Sequence, residues 1–427
     1  MLKKYSNFCP VPWRQFASST NGLQRMCCMM HRDETHGYYM YKDDKKLSVK
    51  DGVEAYLESD SMKLIQDQIR ENKQPSSCAC YHNESILTDS KRTAQLEKYA
   101  IENDYDVEKF FLKNHFIDYY DIRTGNTCNL QCLMCAPSFS NQLYEQSFYL
   151  SFYQKDGKKN TPPERIEQIK DDYFRSNKHI ELEGNGNYDW ADEEFFDKLE
   201  KRIDETLEKD PSRIIEFYII GGEPLLNKTH LVFLERLLKK GYNNNIDLEY
   251  NTNMTVSDND ILGLWSNFRK ITLAISIDDV GERYEYIRYP AKWSKILNNL
   301  SDLEKKIKEK PTVFRTIAFA TVINLFTVDN FSETERVAES FGLTAGKLLS
   351  WGPDNTTPII LTPEEKLEFI NYIPQDKHFE SLKKYVLDFK YNQNQRDLFF
   401  KMLNFWDSRR RTKFKDTYPN LASVLKI

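Results

Sequence analysis

Glycine and proline are scarce in this chain, 15 of each among 427 residues, about 7% together against a typical ~12%. That scarcity excludes collagen-like, disordered and low-complexity architectures. Long apolar runs are missing too. Stretches such as Phe217, Tyr218, Ile219 and Ile220 fall far below the ~18 apolar residues of a membrane span. The opening segment MLKKYSNFCPVPWRQ has two lysines but no apolar core, so no signal peptide is expected. Nor is there an excess of positive charge: 60 basic against 65 acidic residues leave a net −5, which gives no global polycation for nucleic acid. These absences lead us to expect a soluble, cytoplasmic protein with no membrane partner and no nucleic-acid partner.

The chain is rich in aromatics, with 25 Tyr, 26 Phe and 6 Trp, and its length suggests two to three domains at about 150 residues each. Its eight cysteines are unevenly placed. Cys9, Cys27, Cys28, Cys78 and Cys80 lie in the first 80 residues, Cys128, Cys132 and Cys135 lie together, and the remaining chain has none. In a cytoplasmic protein of this size they read as metal ligands or reactive thiols rather than as a disulfide framework.

Three zones follow. Residues 1–115 hold five cysteines, an Asn21-Gly22 pair that predicts a hairpin turn, and helical patterns at Val53–Asn72 and Lys91–Lys113. Residues 116–352 alternate apolar runs with helical stretches. The six strand candidates are HFIDYYDIRT, RIIEFYII, NIDLEY, KITLAISI, FRTIAFATVI and GKLLSW. This α/β pattern predicts a parallel sheet with crossover helices, a partial barrel two units short of the eight-fold form. An oversized connection, with an insertion at about 144–190, separates the first two strands. Residues 353–427 are helical throughout, with an amphipathic run RDLFFKMLNFWDSRRR.

Cys128-x3-Cys132-x2-Cys135 follows the first strand on a loop with Gly125. Four irons in a cubane cluster want about four thiolates. Three cysteines therefore leave one iron open, and an open metal position is where a ligand binds. Zinc fits less well, since the closest histidine is His115. Gly221-Gly222-Glu223-Pro224 ends the second strand; its glycines allow close backbone approach and Glu223 suits an ammonium group.

The three-cysteine loop after a first strand resembles that of the radical S-adenosylmethionine (SAM) enzymes. The resemblance covers roughly 116–352 and implies a partial (β/α)6 barrel, with Cys128, Cys132 and Cys135 holding a [4Fe–4S] cluster whose open iron is chelated by SAM. An external electron donor would reduce the cluster, and a 5′-deoxyadenosyl radical would then abstract hydrogen from a substrate. GGEP is similar to the family segment that holds the SAM amino group, through Gly221, Gly222 and Glu223. Thr252-Asn253 resembles the family's Thr-Asn-Gly, with Met254 where glycine is usual. Ser276, Asp278 and Arg288 are similar to residues that approach the ribose and the carboxylate, and Asn324 to one on the adenine side. Met134 stands where the family often has an aromatic.

The segments FCPVPW…NGLQRMCC and CACYHNES…SKR resemble the auxiliary-cluster modules, of SPASM and twitch type, that accompany many radical SAM proteins. The module stands before the barrel here, and Cys-x2-Cys is shortened to Cys-x-Cys. Cys9, Cys27, Cys28, Cys78 and Cys80 are the candidate ligands of a second iron–sulfur cluster, only one of the adjacent pair being needed. Zinc is the alternative, with His31 or His82 as substitute donors.

This likeness implies a radical SAM enzyme acting on a peptide or protein. The alternatives are modification of a nucleotide, nucleic acid or sugar, and a non-catalytic zinc-binding structural protein. The sequence assigns no catalytic, radical-quenching residue. The remaining histidines read as surface or packing groups, and the basic run Arg409–Lys415 reads as a solvated helix end rather than a phosphate contact.

Overall fold

The computed structural model describes residues 7–30, 39–75, 78–86, 90–103, 116–156, 163–176, 188–349 and 354–427. His31, His36, His115 and His179 fall outside these residues, as do the side chain of His82, residues 104–113 of the expected helix and parts of the insertion.

Two short strands come first, β1 (Gln15–Ser18) and β2 (Gln24–Arg25), then helices α1 (Asp60–Arg70) and α2 (Lys91–Asn103). β3 (Tyr119–Arg123) opens the alternation and is followed by α3 (Tyr144–Asp156), α4 (Pro163–Ser176) and α5 (Glu193–Lys209). Next come β4 (Ile215–Ile220), α6 (Lys228–Lys239), β5 (Ile246–Thr252) and β6 (Lys270–Ile275). After them lie α7 (Gly281–Ile287), α8 (Trp293–Glu309), β7 (Phe314–Ile323), α9 (Phe331–Ser340), β8 (Thr344–Leu349) and α10 (Gln393–Arg409). Each of the six apolar runs thus forms a strand, β3 to β8. No helix among the described residues is long and apolar enough to cross a membrane.

The chain divides into two compact units whose boundaries differ from the sequence zones, because contacts rather than contiguity define them. The first comprises Met1–Gly125, Tyr188–Tyr250 and Asn267–Lys270; the second comprises Asn126–Asn187, Asn251–Ser266 and Ile271–Ile427.

In the first unit β3, β4 and β5 pair in parallel, with Tyr120 opposite Phe217 and Phe217 opposite Leu248. The Tyr120 and Phe217 rings stack with centroids 5.4 Å apart. β1 runs parallel to β3, with Phe16 opposite Tyr120. β2 returns antiparallel across the Asn21-Gly22 turn, with Ala17 opposite Arg25, so the expected hairpin forms. The N-terminal zone therefore lends two strands to the sheet. Arg14, fully buried, ties this arrangement together: it donates to Asp118 at 2.8 Å, to Gln95 at 2.8 Å and to Glu216 at 2.9 Å. A buried guanidinium is tolerated because every partner is an acceptor in good geometry.

In the second unit β6, β7 and β8 are parallel, with Leu273 opposite Ile317 and Thr344 opposite Ala318. Its core is aromatic. Tyr286, Phe326, Phe399, Trp406, Phe414 and Tyr418 are all buried together, Phe326 and Tyr418 meeting edge to face at 5.2 Å. α10 turns Leu398, Phe399, Met402, Leu403 and Trp406 inward, spaced at helical three- and four-residue intervals. The helical C-terminal region thus packs against the segment that carries Tyr286, Ile287 and Arg288.

Candidate functional site

The three-cysteine loop lies in the second unit, which holds no other cysteine. Leu130 and Leu133 are buried and anchor it. Backbone bonds fix its path: Gln131 N donates to Tyr289 O at 2.6 Å, Leu133 N to Ile287 O at 3.0 Å and Cys135 N to Cys132 O at 3.1 Å. Ser140 Oγ caps Leu130 O at 2.6 Å, and Cys128 N donates to Asn141 Oδ1 at 3.3 Å. Cys132 is buried while Cys128 and Cys135 are partly open. Burial pushes the Cys132 thiol up, against the pull of Arg288. Burial and the Cys128 charge push Cys135 up to about 12.

Asn253 stands over the loop. Its Nδ2 donates to Asn129 Oδ1 at 3.1 Å and lies 4.0 Å from Cys128 Sγ, while its Oδ1 accepts from Thr255 N at 2.9 Å. Asn129 Nδ2 donates in turn to Thr255 Oγ1 at 2.9 Å. Met254, between these partners, sits at φ 60° with its side chain fully buried, a left-handed conformation that costs an L-residue about 1 kcal/mol. Packing of the thioether side chain offsets what glycine would give for free.

Arg288 follows α7 and is 7% exposed. Its Nε donates to Asp278 Oδ2 at 2.6 Å, and its Nη1 lies 3.7 Å from Cys132 Sγ. Asp278 Oδ1 accepts from Val322 N at 2.9 Å. Both carboxylate oxygens of Asp278 are thus engaged within the protein. Ser276 is half-buried just beyond β6, its N–H bonded to Thr252 O at 2.8 Å. Asn324 follows β7 and is fully buried; its Oδ1 accepts from Phe326 N at 2.8 Å, while its Nδ2 has no hydrogen-bond partner among the described residues. An orphaned buried amide donor is costly unless a ligand acceptor completes it. Three thiols on one short loop, a buried guanidinium and an orphaned amide form a donor set compatible with the iron–sulfur cluster and SAM that the sequence resemblance implies.

Gly221, Gly222 and Glu223 belong to the first unit. Gly221 has φ 142°, and a Cβ there would lie 2.8 Å from Gly125 O. Gly222 N donates to that same carbonyl at 2.9 Å, so the glycines let two loop backbones touch. Glu223 is buried and accepts from Leu225 N at 3.2 Å, starting a single turn over Pro224–Leu226. Asn227 then caps α6 by accepting from His230 N at 3.0 Å.

The N-terminal cysteines, also in the first unit, are brought together from three segments. Cys78 pairs with Met30 in an isolated antiparallel bridge, and Ala79 N donates to Met29 O at 2.9 Å. Cys9 interacts electrostatically with Cys27 and Cys80, and Cys27 with Cys28 and Cys80. Burial pushes Cys27 up to about 12, opposed by the Lys91 ammonium. Arg92, beside it on α2, donates to Phe8 O at 2.9 Å and faces Cys9. Among the described residues no three His, Cys, Asp or Glu side chains converge on a point suited to a single metal ion.

Sequence reasoning missed Asn129, Thr255, Lys91, Arg92 and Arg410. Only Asn129 carried a signal, as a polar residue flanking Cys128 inside the loop.

The Radical SAM superfamily model matches residues 122–339, just over half of the chain. No curated protein matches it. Among solved structures, one described as native anSMEcpe with bound AdoMet and Cp18Cys peptide aligns at 18% identity and TM-score 0.28, over 37% of this chain and 45% of that one. Native anSMEcpe with bound AdoMet aligns at 18% identity and TM-score 0.30, over 39% and 47%. The chain spans less than half the length of these structures.

Proposed function

Since the chain belongs to the radical SAM superfamily and is an enzyme of that class, we propose that Cys128, Cys132 and Cys135 hold its [4Fe–4S] cluster and that its substrate is a peptide or protein. The observation that carries the ligand assignment is the anchored loop of three thiols in a unit with no fourth cysteine. When bound, the cluster and SAM supply an electron and a radical that takes hydrogen from the substrate.

The chain's own residues do the holding. Asn253, braced by Asn129 and Thr255, orients the Cys128 end of the loop. Arg288 presents a guanidinium for the SAM carboxylate, aimed by Asp278. Asp278, with both oxygens engaged, acts through that arginine and not on the ribose; Ser276 is left to face the ribose. Asn324 offers Nδ2 to an adenine acceptor. The aromatic core of the second unit excludes water beneath the loop.

In the first unit the neighbourhood of Cys9, Cys27, Cys28, Cys78 and Cys80 takes a second iron–sulfur cluster, with Lys91 and Arg92 offsetting thiolate charge. The pairing of such a module with the barrel is what supports a peptide substrate. The test is anaerobic reconstitution, followed by reduction with SAM. The wild type is expected to form 5′-deoxyadenosine, and the Cys128→Ala, Cys132→Ala, Cys135→Ala triple variant to lose it while retaining N-terminal iron. Cleavage that survives in the triple variant refutes the ligand assignment. Turnover stimulated by nucleotides or sugars and not by peptides refutes the substrate class.

A further inference from the structure

We propose that Arg410, at the end of α10, is a positioning residue for the three-cysteine loop: it clips that loop to the segment bearing Arg288 and sets a positive charge with no ion-pair partner behind Cys132. The inference rests on the assignment of Cys132 as a cluster ligand.

Arg410 is 6% exposed, although it lies within a basic run. Its Nε donates to Tyr286 O at 2.6 Å and its Nη2 to Gln131 O at 3.4 Å. Its Nη1 reaches Trp406 O at 3.5 Å, and the guanidinium lies 5.1 Å from the Tyr286 ring centroid. Gln131 is the residue before Cys132, and its N–H is already held by Tyr289 O. The peptide on either side of Gln131 is therefore fixed from two directions, once by backbone and once by this side chain.

The charge argument separates Arg410 from Arg288. Arg288 is matched by Asp278 at 2.6 Å. Arg410 has only carbonyl acceptors, and among the described residues no carboxylate lies within ion-pair distance of it. A buried cation without a counter-charge is costly, and the protein retains one where an anion is to be held. Burial pulls its pKa down, and Tyr286, Tyr418, Cys132 and Asp407 are the groups that oppose this. The anion that fits is the set of thiolates around Cys132 once the cluster is loaded. A fixed positive charge there favours the more negative, reduced state and so raises the reduction potential.

The experiment compares reconstituted wild type, Arg410→Gln and Arg410→Lys by iron and sulfide content, by the midpoint potential of the electron paramagnetic resonance signal that changes on adding SAM, and by the rate of iron loss to a chelator. Arg410→Gln is expected to hold its cluster at a more negative potential. Arg410→Lys is expected to keep the wild-type potential, yet to lose iron several-fold faster because a single ammonium cannot bridge both carbonyls. A fully loaded Arg410→Gln with the wild-type potential overturns the proposal. Should Arg410→Gln not fold, Arg410→Lys decides alone: iron loss at the wild-type rate overturns it. Absence of any SAM-responsive signal in the wild type instead overturns the underlying ligand assignment.

Discussion

Asp278 holds Arg288 against the cysteine loop: the carboxylate takes Arg288 Nε at 2.6 Å through one oxygen and Val322 N at 2.9 Å through the other. The guanidinium is thereby left with Nη1 3.7 Å from Cys132 Sγ. One acidic side chain thus both orients the arginine nearest the buried cysteine and supplies its counter-charge. Asp278→Asn strands that arginine unpaired in the interior, a change that costs about 3–5 kcal/mol. Denaturant unfolding of the apo protein measures that loss. SAM binding, measured separately, is expected to weaken about tenfold or more, since ~1.4 kcal/mol is tenfold. Arg288→Lys keeps the charge without the fork, and is expected to lose SAM affinity with less loss of stability.

Gly221 and Gly342 share a left-handed backbone but differ in their surroundings. A Cβ on Gly221 meets Gly125 O at 2.8 Å and Thr124 N at 3.1 Å, both backbone atoms, whereas one on Gly342 meets nothing within 4 Å. Gly342→Ala should cost about 1 kcal/mol from conformation alone. Gly221→Ala should cost more, about 2–4 kcal/mol, because two loops must separate. Equal destabilisation of the two variants in urea would contradict this reading.

His230 makes the first unit sensitive to acid. It is fully buried between Asn227 O, 2.6 Å from Nδ1, and the Tyr250 hydroxyl, 3.2 Å from Nε2. Burial lowers its pKa to about 4, against a smaller opposing effect of the Asn227 carbonyl. The unfolded chain therefore takes up this proton first, near the ordinary ~6.5. Stability is full above that pH and falls as the pH drops toward 4, by about 3 kcal/mol in all. The unfolding midpoint of the wild type should decline across this window, and that of His230→Gln should decline less.

The strands of the barrel were legible because each is an apolar run bounded by turn residues, and the candidate motifs drew notice because they stand at strand ends, where such folds assemble ligands. β1 was not legible: Gln15 and Ser18 are polar yet buried, and four residues give too short a pattern. Arg14 and Glu216 pair across 202 positions, a relation that no local periodicity carries. Arg410 was hidden for the opposite reason, since a run of basic residues has the composition of a solvated face whether or not one member turns inward.

Asn324 permits a test that separates a turn role from a ligand role. Its Oδ1 accepts from Phe326 N at 2.8 Å, closing a local turn, while its buried Nδ2 has no partner among the described residues. If the side chain serves the turn alone, loss of the oxygen is all that matters. Asn324→Ala removes both atoms and should destabilise the protein by about 1 kcal/mol through the lost hydrogen bond. Asn324→Asp retains an oxygen for Phe326 N and discards the amide donor. The ligand role requires that both variants bind SAM about tenfold more weakly, the worth of ~1.4 kcal/mol, while apo stability falls further in Asn324→Asp, whose carboxylate is buried without a counter-charge. Calorimetric binding to the reconstituted protein, set beside apo unfolding, gives the two readouts. Wild-type SAM affinity in Asn324→Asp would mean that the amide completes no ligand and that the buried nitrogen is only a cost of the turn.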